Sequence, residues 1–552
     1  MNIASRDAVK YKIPYDANND ADFLSLNGET HLAVLIISLP RFDKLVYAIC
    51  PLLGIITTFA PAYASPLNPP TTSVTLFRWR WNDIALECTH WLGPQGYGAV
   101  MTSPPQASAF LNTWYDVYQP VNYTHLKSAM GTEAEYQSMI NTCHAAGVRV
   151  YADIVTNQMA GSSGIATDGS SWNATTLAYP DFSSYDFHSD CSITSADYNS
   201  SDRIAVWTCR LLGLPDLRTD SHYVQGQISA YLTKLITMGI DGFRFDAAKH
   251  MNPRDIFAFL QGAAKMTNAG EPLWVSQEII SDGGVVPSTY FVNGTVNEFH
   301  YVYAMKEMFR NQNGKNLAQL ESIMGTPGHW GGSWFFIPSK NATVFVNNWD
   351  TERGTTTNPP SSLVASNHVS GVTNDTDRNK RFDLANILML AWPYGNTVQI
   401  ESGYIFTDNN AGPPAASPYD FAGNAQINQS WDFIHRWSDI SNMVKFRTVT
   451  NGQGVDHFTT GTPNQIAFCR GRKGFLAINN DTISWTAALQ TALPPGRYCN
   501  IVHGLLNKAK TACTSDSVVI GNDGIAHVAI GPNDGSSVAA VALHVLDKVI
   551  NE

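Results

Sequence analysis

Between about residues 74 and 400, amphipathic helical stretches alternate with short apolar runs. That pattern restricts the chain to parallel strands joined by helical crossovers. In "TEAEYQSMINTCHAAG", Thr132 and Glu135 form a capping-box pair, and Tyr136, Met139, Ile140 and Cys143 fall on one helical face. Gly147 ends the helix, and "VRVYADIV" reads as a buried strand. The unit recurs: "QISAYLTKLITMG" (227–239), closed by Gly239, precedes the strand "IDGFRFDA". "NPRDIFAFLQGA", with Asn252 as cap and Pro253 at the first helical position, precedes "PLWVSQE", and "ATVFVNNWD" (342–350) is a further strand.

Either a closed barrel or an open doubly wound sheet carries such a pattern. Four strands run into polar residues at their C-terminal ends: Asn157, Asp246, Glu278 and Asp350. In a (β/α)8 barrel those ends converge on one face. No glycine-rich phosphate loop follows a first strand, which argues against a nucleotide-binding sheet. The expected fold is therefore α/β, a (β/α)8 TIM barrel over 65–156 and 217–450. A Ser-, Asp- and Gly-rich excursion at 157–216 is too long for an ordinary connection and reads as an inserted functional domain. After about residue 450 the helical period fades, and "QIAFCRGRKGFLAINND", "GRYCNIVHG" and "SVAAVALHVL" predict a C-terminal antiparallel β domain over 451–552.

The formal net charge of -11 excludes a nucleic-acid partner of the usual basic kind. "RFDKLVYAICPLLGIITTFAPAYAS" (41–65) has a basic flank, an apolar run and a small-x-small site ending at Ala64, the layout of a cleaved secretory signal. A signal anchor is the alternative, because the run is long enough to span a bilayer. Residues 1–40 form a polar extension to which no role is assigned. Seven cysteines follow the signal, and their pairing is not fixed by spacing; an odd count leaves at least one free. Eight Asn-x-Ser/Thr triplets, at 122, 173, 199, 293, 341, 374, 428 and 480, suit a glycosylated secreted product.

Asp246, Glu278 and Asp350 each close a strand expected to be buried. One such acid is as readily a salt-bridged core residue. Three at equivalent strand ends point to chemistry, because each ionised group carries a desolvation cost. Two carboxyls roughly 5 Å apart across a sugar perform retaining glycoside hydrolysis, one as nucleophile and one as acid/base. Arg244, two residues before Asp246 and on the same side of its strand, is expected to keep that carboxylate ionised. The acid/base partner needs a raised pKa instead.

At these residues "DGFRFDAAKH", "WVSQEII", "YADIVTNQ" and "FVNNWDTERG" resemble the four ordered motifs of the α-amylase family of retaining glycoside hydrolases. "RWRWNDIALECTHWLGPQGYGAVMTSPPQ", "WYDVYQPVNY" and the tail from "NMVKFRTVTNGQ" are similar to its animal and actinobacterial type, over about residues 74–548. The resemblance implies Asp246 as nucleophile, Glu278 as acid/base and Asp350 as transition-state stabiliser. Arg244 would support the nucleophile, and Lys249 and His250 would contact the leaving-group side. Trp114, Tyr115 and Tyr118, with Gln119 beside them, would form a sugar-stacking platform; plain core packing is the alternative. One Ca2+ is implied, held by the side chains of Asn157 and Asp216 and the carbonyls of Trp207 and His250. The pairs Cys88–Cys143, Cys191–Cys209 and Cys499–Cys513 are implied, leaving Cys469 free. Gln158 and Trp349 stand where many members have histidines that donate to the sugar; each retains one kind of N–H donor. Arg244 and Asn348 match two chloride ligands, but Val398 replaces the third, basic one, so chloride is not expected. The implied protein is a secreted, extracellular, monomeric endo-hydrolase of α-1,4 links in starch, glycogen and malto-oligosaccharides, off the membrane once its signal is cleaved. A maltogenic or glycosyl-transferring relative and a non-catalytic starch-binding protein are the alternatives.

Overall fold

The computed structural model describes residue 68 and residues 70–550, apart from 265, 282–283, 325–331, 355–357, 367–378 and 407. The N-terminal extension, the secretory segment and the Asn374 triplet lie outside the described residues. Among the described residues, no helix is long and apolar enough to cross a membrane.

Eight strands close a barrel: β1 (Thr72–Leu76), β2 (Ala99–Thr102), β3 (Arg149–Ile154), β4 (Gly242–Phe245), β5 (Trp274–Gln277), β6 (Thr295–Asn297), β7 (Ala342–Phe345) and β8 (Thr397–Ser402). Each pairs in parallel with the next, and β8 returns to β1. The four strands legible in the sequence are β3, β4, β5 and β7. The register sets Asp153 opposite Arg244, and Arg244 opposite Ser276.

Helices α1 (Trp81–Glu87), α2 (Glu133–Ala145), α3 (His222–Met238), α4 (Pro253–Gly262), α5 (Phe299–Phe309), α6 (Arg381–Ala391) and α7 (Ser438–Val449) complete the barrel unit. The capping box of α2 is formed: Thr132 Oγ1 accepts from Glu135 N at 3.3 Å, and Glu135 Oε2 accepts from Thr132 N at 2.8 Å. Tyr136, Met139, Ile140 and Cys143 are its buried face. Helix α3 begins at His222, before the expected position 227, because Ser221 caps it by accepting from Val224 N. Gly239, at φ 113°, closes it in a left-handed turn that suits glycine.

Between β3 and α3 the excursion forms a two-stranded ribbon (Ser163–Ile165 with Ser171–Asn173) and short helical turns. The C-terminal domain packs two four-stranded antiparallel sheets. One is ordered β9 (Val455–Thr460), β10 (Gln465–Arg470), β11 (Gly474–Asn479), β16 (Ala540–His544); the other is β12 (Trp485–Gln490), β15 (Ile525–Ile530), β14 (Ser517–Ile520), β13 (Gly496–Cys499). On β10, Ala467 and Cys469 face the core between the sheets, whereas Ile466 and Phe468 join the barrel's core. Strands β10, β11 and β16 are thus buried on both faces, which is why their sequences lack polar alternation, whereas the outer strand β9 stays largely exposed.

The disulfides are Cys88–Cys143, Cys191–Cys209 and Cys499–Cys513, and Cys469 is a buried free thiol. Cys88–Cys143 joins positions 55 residues apart. By chain entropy it restricts the unfolded state by about 4 kcal/mol. A Cys88→Ala/Cys143→Ala double variant should therefore unfold at clearly lower denaturant with an undiminished slope; an unchanged midpoint would show that the bridge does not constrain the unfolded chain.

Candidate active site

The barrel ladder continues one residue past its central strands. Asp246 N donates to Ile154 O at 2.8 Å, and Glu278 N donates to Phe245 O at 2.9 Å, so backbone pairing fixes both acids at the mouth. Beyond Asp246 the chain enters a left-handed turn at Ala247 (φ 47°), whose N–H donates to Glu278 Oε2 at 2.9 Å. Asp350 stands in an Asx turn in which Asn348 Oδ1 accepts from Asp350 N at 3.2 Å and Thr351 N at 2.8 Å. All three acids line one cavity of about 400 Å³, together with Trp114, Tyr115, Tyr118, Gln119, Gln158 and Trp349.

Arg244 lies beneath the cavity. Its Nη1 is 2.7 Å from Asp153 Oδ1 and 3.1 Å from Asp246 Oδ1, and its Nη2 is 3.0 Å from Glu278 Oε1. One buried cation therefore serves three carboxylates. Arg244 pulls the Asp246 pKa down, as expected of it, but it is opposed. Burial first, and the Glu278 charge next, push Asp246 well above the usual carboxylate range, against the pull of Arg244. The Glu278 charge thus acts on the Asp246 carboxyl across the mouth, while Arg244 touches both. Burial also raises Asp153 to about 6, with Arg244 opposing. Asp350 is raised to about 6 by enclosure in protein and by Glu278; its side chain is open to the cleft, whose solvent moderates that effect.

Gln158 and Trp349 differ from expectation in what they touch. Gln158 Nε2 donates to Asp246 Oδ2 and to Tyr118 O, each at 3.2 Å, and Gln158 Oε1 accepts from Asn157. Its donors are spent on the carboxylate and the wall. Trp349 stacks on Phe77 (centroids 4.9 Å, 3° between planes) and on Tyr118 (6.1 Å, 11°), with Arg244 Cζ 5.0 Å from its ring centre. It is a buried packing surface over the guanidinium. Trp114 and Tyr115 meet edge-on at 5.5 Å and stay half-exposed on the cavity. Gln119 Oε1 accepts from Gly161 N, tying the platform to the excursion.

Lys249 and His250 are not among the residues lining the cavity. They sit on the turn Ala248–His250, where Lys249 Nζ lies 4.5 Å from the Tyr198 ring centre and His250 meets the same ring edge-on. Asn157 and Asp216 are brought together: Leu217 N donates to Asn157 O, and Gln158 bridges Asp216. Trp207 Nε1 donates to Tyr290 Oη, which donates to Lys249 O and Met251 O, linking the Trp207 helix to the His250 turn. Val398 packs in the core. The small space behind Arg244 and Asn348 is lined by Gln399 and Glu401 rather than by Val398.

Sequence reasoning missed Asp153, the third partner of Arg244; an acid inside the buried run "VRVYADIV" was its signal. It also missed Leu211, Leu212 and Leu214, which wall the cavity from the excursion. Apolar residues in a loop carry no chemical signature. A larger cleft, about 850 Å³, lies beside Trp207 and Phe257 and has no acid among its lining residues.

Residues 91–357 match the family described as alpha amylase, catalytic domain, and residues 455–543 match the alpha amylase C-terminal all-beta domain. The chain is 38% identical over 451 residues to an alpha-amylase of Streptomyces violaceus, covering 81% of this chain and 72% of that one. It is 36% identical over 525 residues to an alpha-amylase of Pecten maximus (91% and 97% covered) and 36% identical over 515 residues to human pancreatic alpha-amylase (87% and 95%). Among solved structures, wild-type alpha-amylase I of Eisenia fetida superposes with a TM-score of 0.76 at 32% identity, covering 88% of this chain and 99% of that one. A mutant of that enzyme solved with maltohexaose gives the same values.

Proposed function

The chain belongs to the α-amylase family and is an α-amylase in activity, and we propose that it is a secreted, calcium-binding enzyme that cuts α-1,4 links inside starch, glycogen and malto-oligosaccharides with retention. The observation that carries this reading is the meeting of Asp246, Glu278 and Asp350 on one cavity, with a single guanidinium touching the first two. Three disulfides suit an oxidising compartment.

The first step starts with Asp246 ionised and Glu278 carrying a proton. Glu278 gives it to the glycosidic oxygen as the bond opens, while the Asp246 carboxylate forms a bond to the anomeric carbon. Water then attacks that carbon, Glu278 takes its proton, and Asp246 leaves as carboxylate. Two inversions give net retention. Asp350 holds sugar hydroxyls as positive charge grows on the ring, and Arg244 keeps a compensating charge beside both acids throughout. Trp114 and Tyr115 offer ring faces to neighbouring glucosyl units.

The calcium assignment fits the donors present. Asp216 Oδ1 is buried with no hydrogen-bond partner, while Oδ2 accepts from His188 Nδ1 at 2.6 Å. Burial raises this carboxyl to about 6; a hard cation would offset that cost. Asn157, Asp216 and the carbonyls of Trp207 and His250 would hold the ion, which would brace the excursion against the barrel. Chloride binding is not expected. Arg244 is the single cation among the residues lining the space behind it, and burial first, then Glu352, raise Glu401 there above the usual carboxylate range.

Glu278→Gln should lower starch turnover by about 10²- to 10⁴-fold while the fold melts as before. Because the Glu278 charge raises Asp246, its removal lowers the nucleophile's pKa. On an aryl maltoside whose leaving group needs no proton, the acid limb of the Glu278→Gln pH–rate profile should lie below the parent's; an unmoved limb would refute the pairing. A chelator should lower the parent's melting temperature by several degrees yet leave Asp216→Ala unaffected, and equal shifts in both would place the ion elsewhere. Activity in chloride-free buffer should stay within about twofold of that in millimolar chloride; several-fold activation would contradict the reading of the space behind Arg244.

A further inference from the structure

Strand β9 is the outer strand of its sheet, and its pairing with β10 shifts register between Asp456 and Thr459. At that bulge His457 takes a left-handed backbone, φ 52°. Consecutive side chains on a regular strand point to opposite faces. The bulge re-aims His457, placing its Nδ1 2.9 Å from Asp456 Oδ1. Asp456 stands opposite Cys469 in the ladder, and Cys469 is the buried free thiol. One sulfur, one ring nitrogen and one carboxylate oxygen therefore lie within 4.8 Å of one another. Among the described residues, no other three His, Cys, Asp or Glu donors gather so closely.

The three donors differ in kind. Calcium and magnesium take oxygen, whereas a thiolate with an imidazole selects a borderline transition metal. Tetrahedral zinc, with Zn–S about 2.3 Å and Zn–N or Zn–O about 2.0 Å, sets its donors about 3.3–3.7 Å apart. The cluster needs to contract by about an ångström to meet that geometry. Asp456 and His457 can make this movement, being 45% and 44% exposed, while Cys469 is fixed in the core.

We infer that Asp456, His457 and Cys469 form a Zn2+ site that clips the edge strand β9 to β10, with water in the fourth position. On binding, the thiol proton leaves to solvent and the sulfur donates to the metal as thiolate; no oxidation state changes. Burial raises that thiol to about 12, so the metal must displace a firmly held proton.

The test titrates the full chain, freed of transition metals and supplied with calcium, with Co2+ as the spectroscopic probe. A near-ultraviolet sulfur-to-cobalt band should grow to one cobalt per chain and vanish on adding Zn2+. Oxygen-only calcium sites cannot give that band, and the disulfide sulfurs offer no thiolate. Cys469→Ser should abolish it. His457→Ala, an exposed change with little risk to folding, should raise the apparent Kd at least tenfold and leave starch hydrolysis unchanged. Absence of the band in the parent, its survival in Cys469→Ser, or a His457→Ala affinity within tenfold of the parent would overturn the site.

Discussion

A buried guanidinium with three carboxylates around it is the interaction on which the site depends. Arg244 is almost wholly buried, yet arginine cannot give up its proton in a protein. Its charge is therefore permanent, and it opposes the burial that raises Asp153 and Asp246 while also touching Glu278. The barrel makes this possible by register: Arg244 faces Asp153 across one strand pair, and Asp246 and Glu278 follow as the ladder runs out at the mouth. Trp349 closes the guanidinium from the cleft with a flat aromatic face, which keeps water from weakening the pairs.

Arg244 touches both reacting acids at nearly equal distance, so it cannot set their roles apart. The difference comes from smaller donors. Gln158 gives Asp246 a neutral amide hydrogen bond, whereas Glu278 receives a backbone N–H from Ala247. Neither contact is visible in motif spacing. Gln158 reads in the sequence as a changed sugar contact; its position beside Asp246 makes it part of the nucleophile's setting.

The fold was legible where periodicity is strong. Helix α2, its cap, and strands β3, β4, β5 and β7 all follow from local pattern and start and stop residues. The three-residue β6 and the polar strand β8 were not, because so short a strand carries no period and a barrel strand facing a polar interior loses its apolar run. The acids at the strand ends could be read because a buried charge is anomalous in sequence. Asp153, the most buried of the four, lacked only a position at a strand end. The Leu211–Leu214 wall and the Gln399 position depend on loop path and on one residue of register, which no local rule fixes.

Ala247 joins fold and chemistry most directly. A left-handed alanine costs about 1–2 kcal/mol relative to ordinary backbone. Glycine would remove that cost, but it would also free the turn following Asp246. The left-handed turn directs the Ala247 N–H at Glu278 and brings Lys249 N to Glu278 O at 3.1 Å, so two backbone donors from the Asp246 strand hold the Glu278 residue. The nucleophile's own loop thus positions its partner acid. Strain at this residue persists because the ladder on one side and the buried turn Ala248–His250 on the other leave the backbone no alternative path.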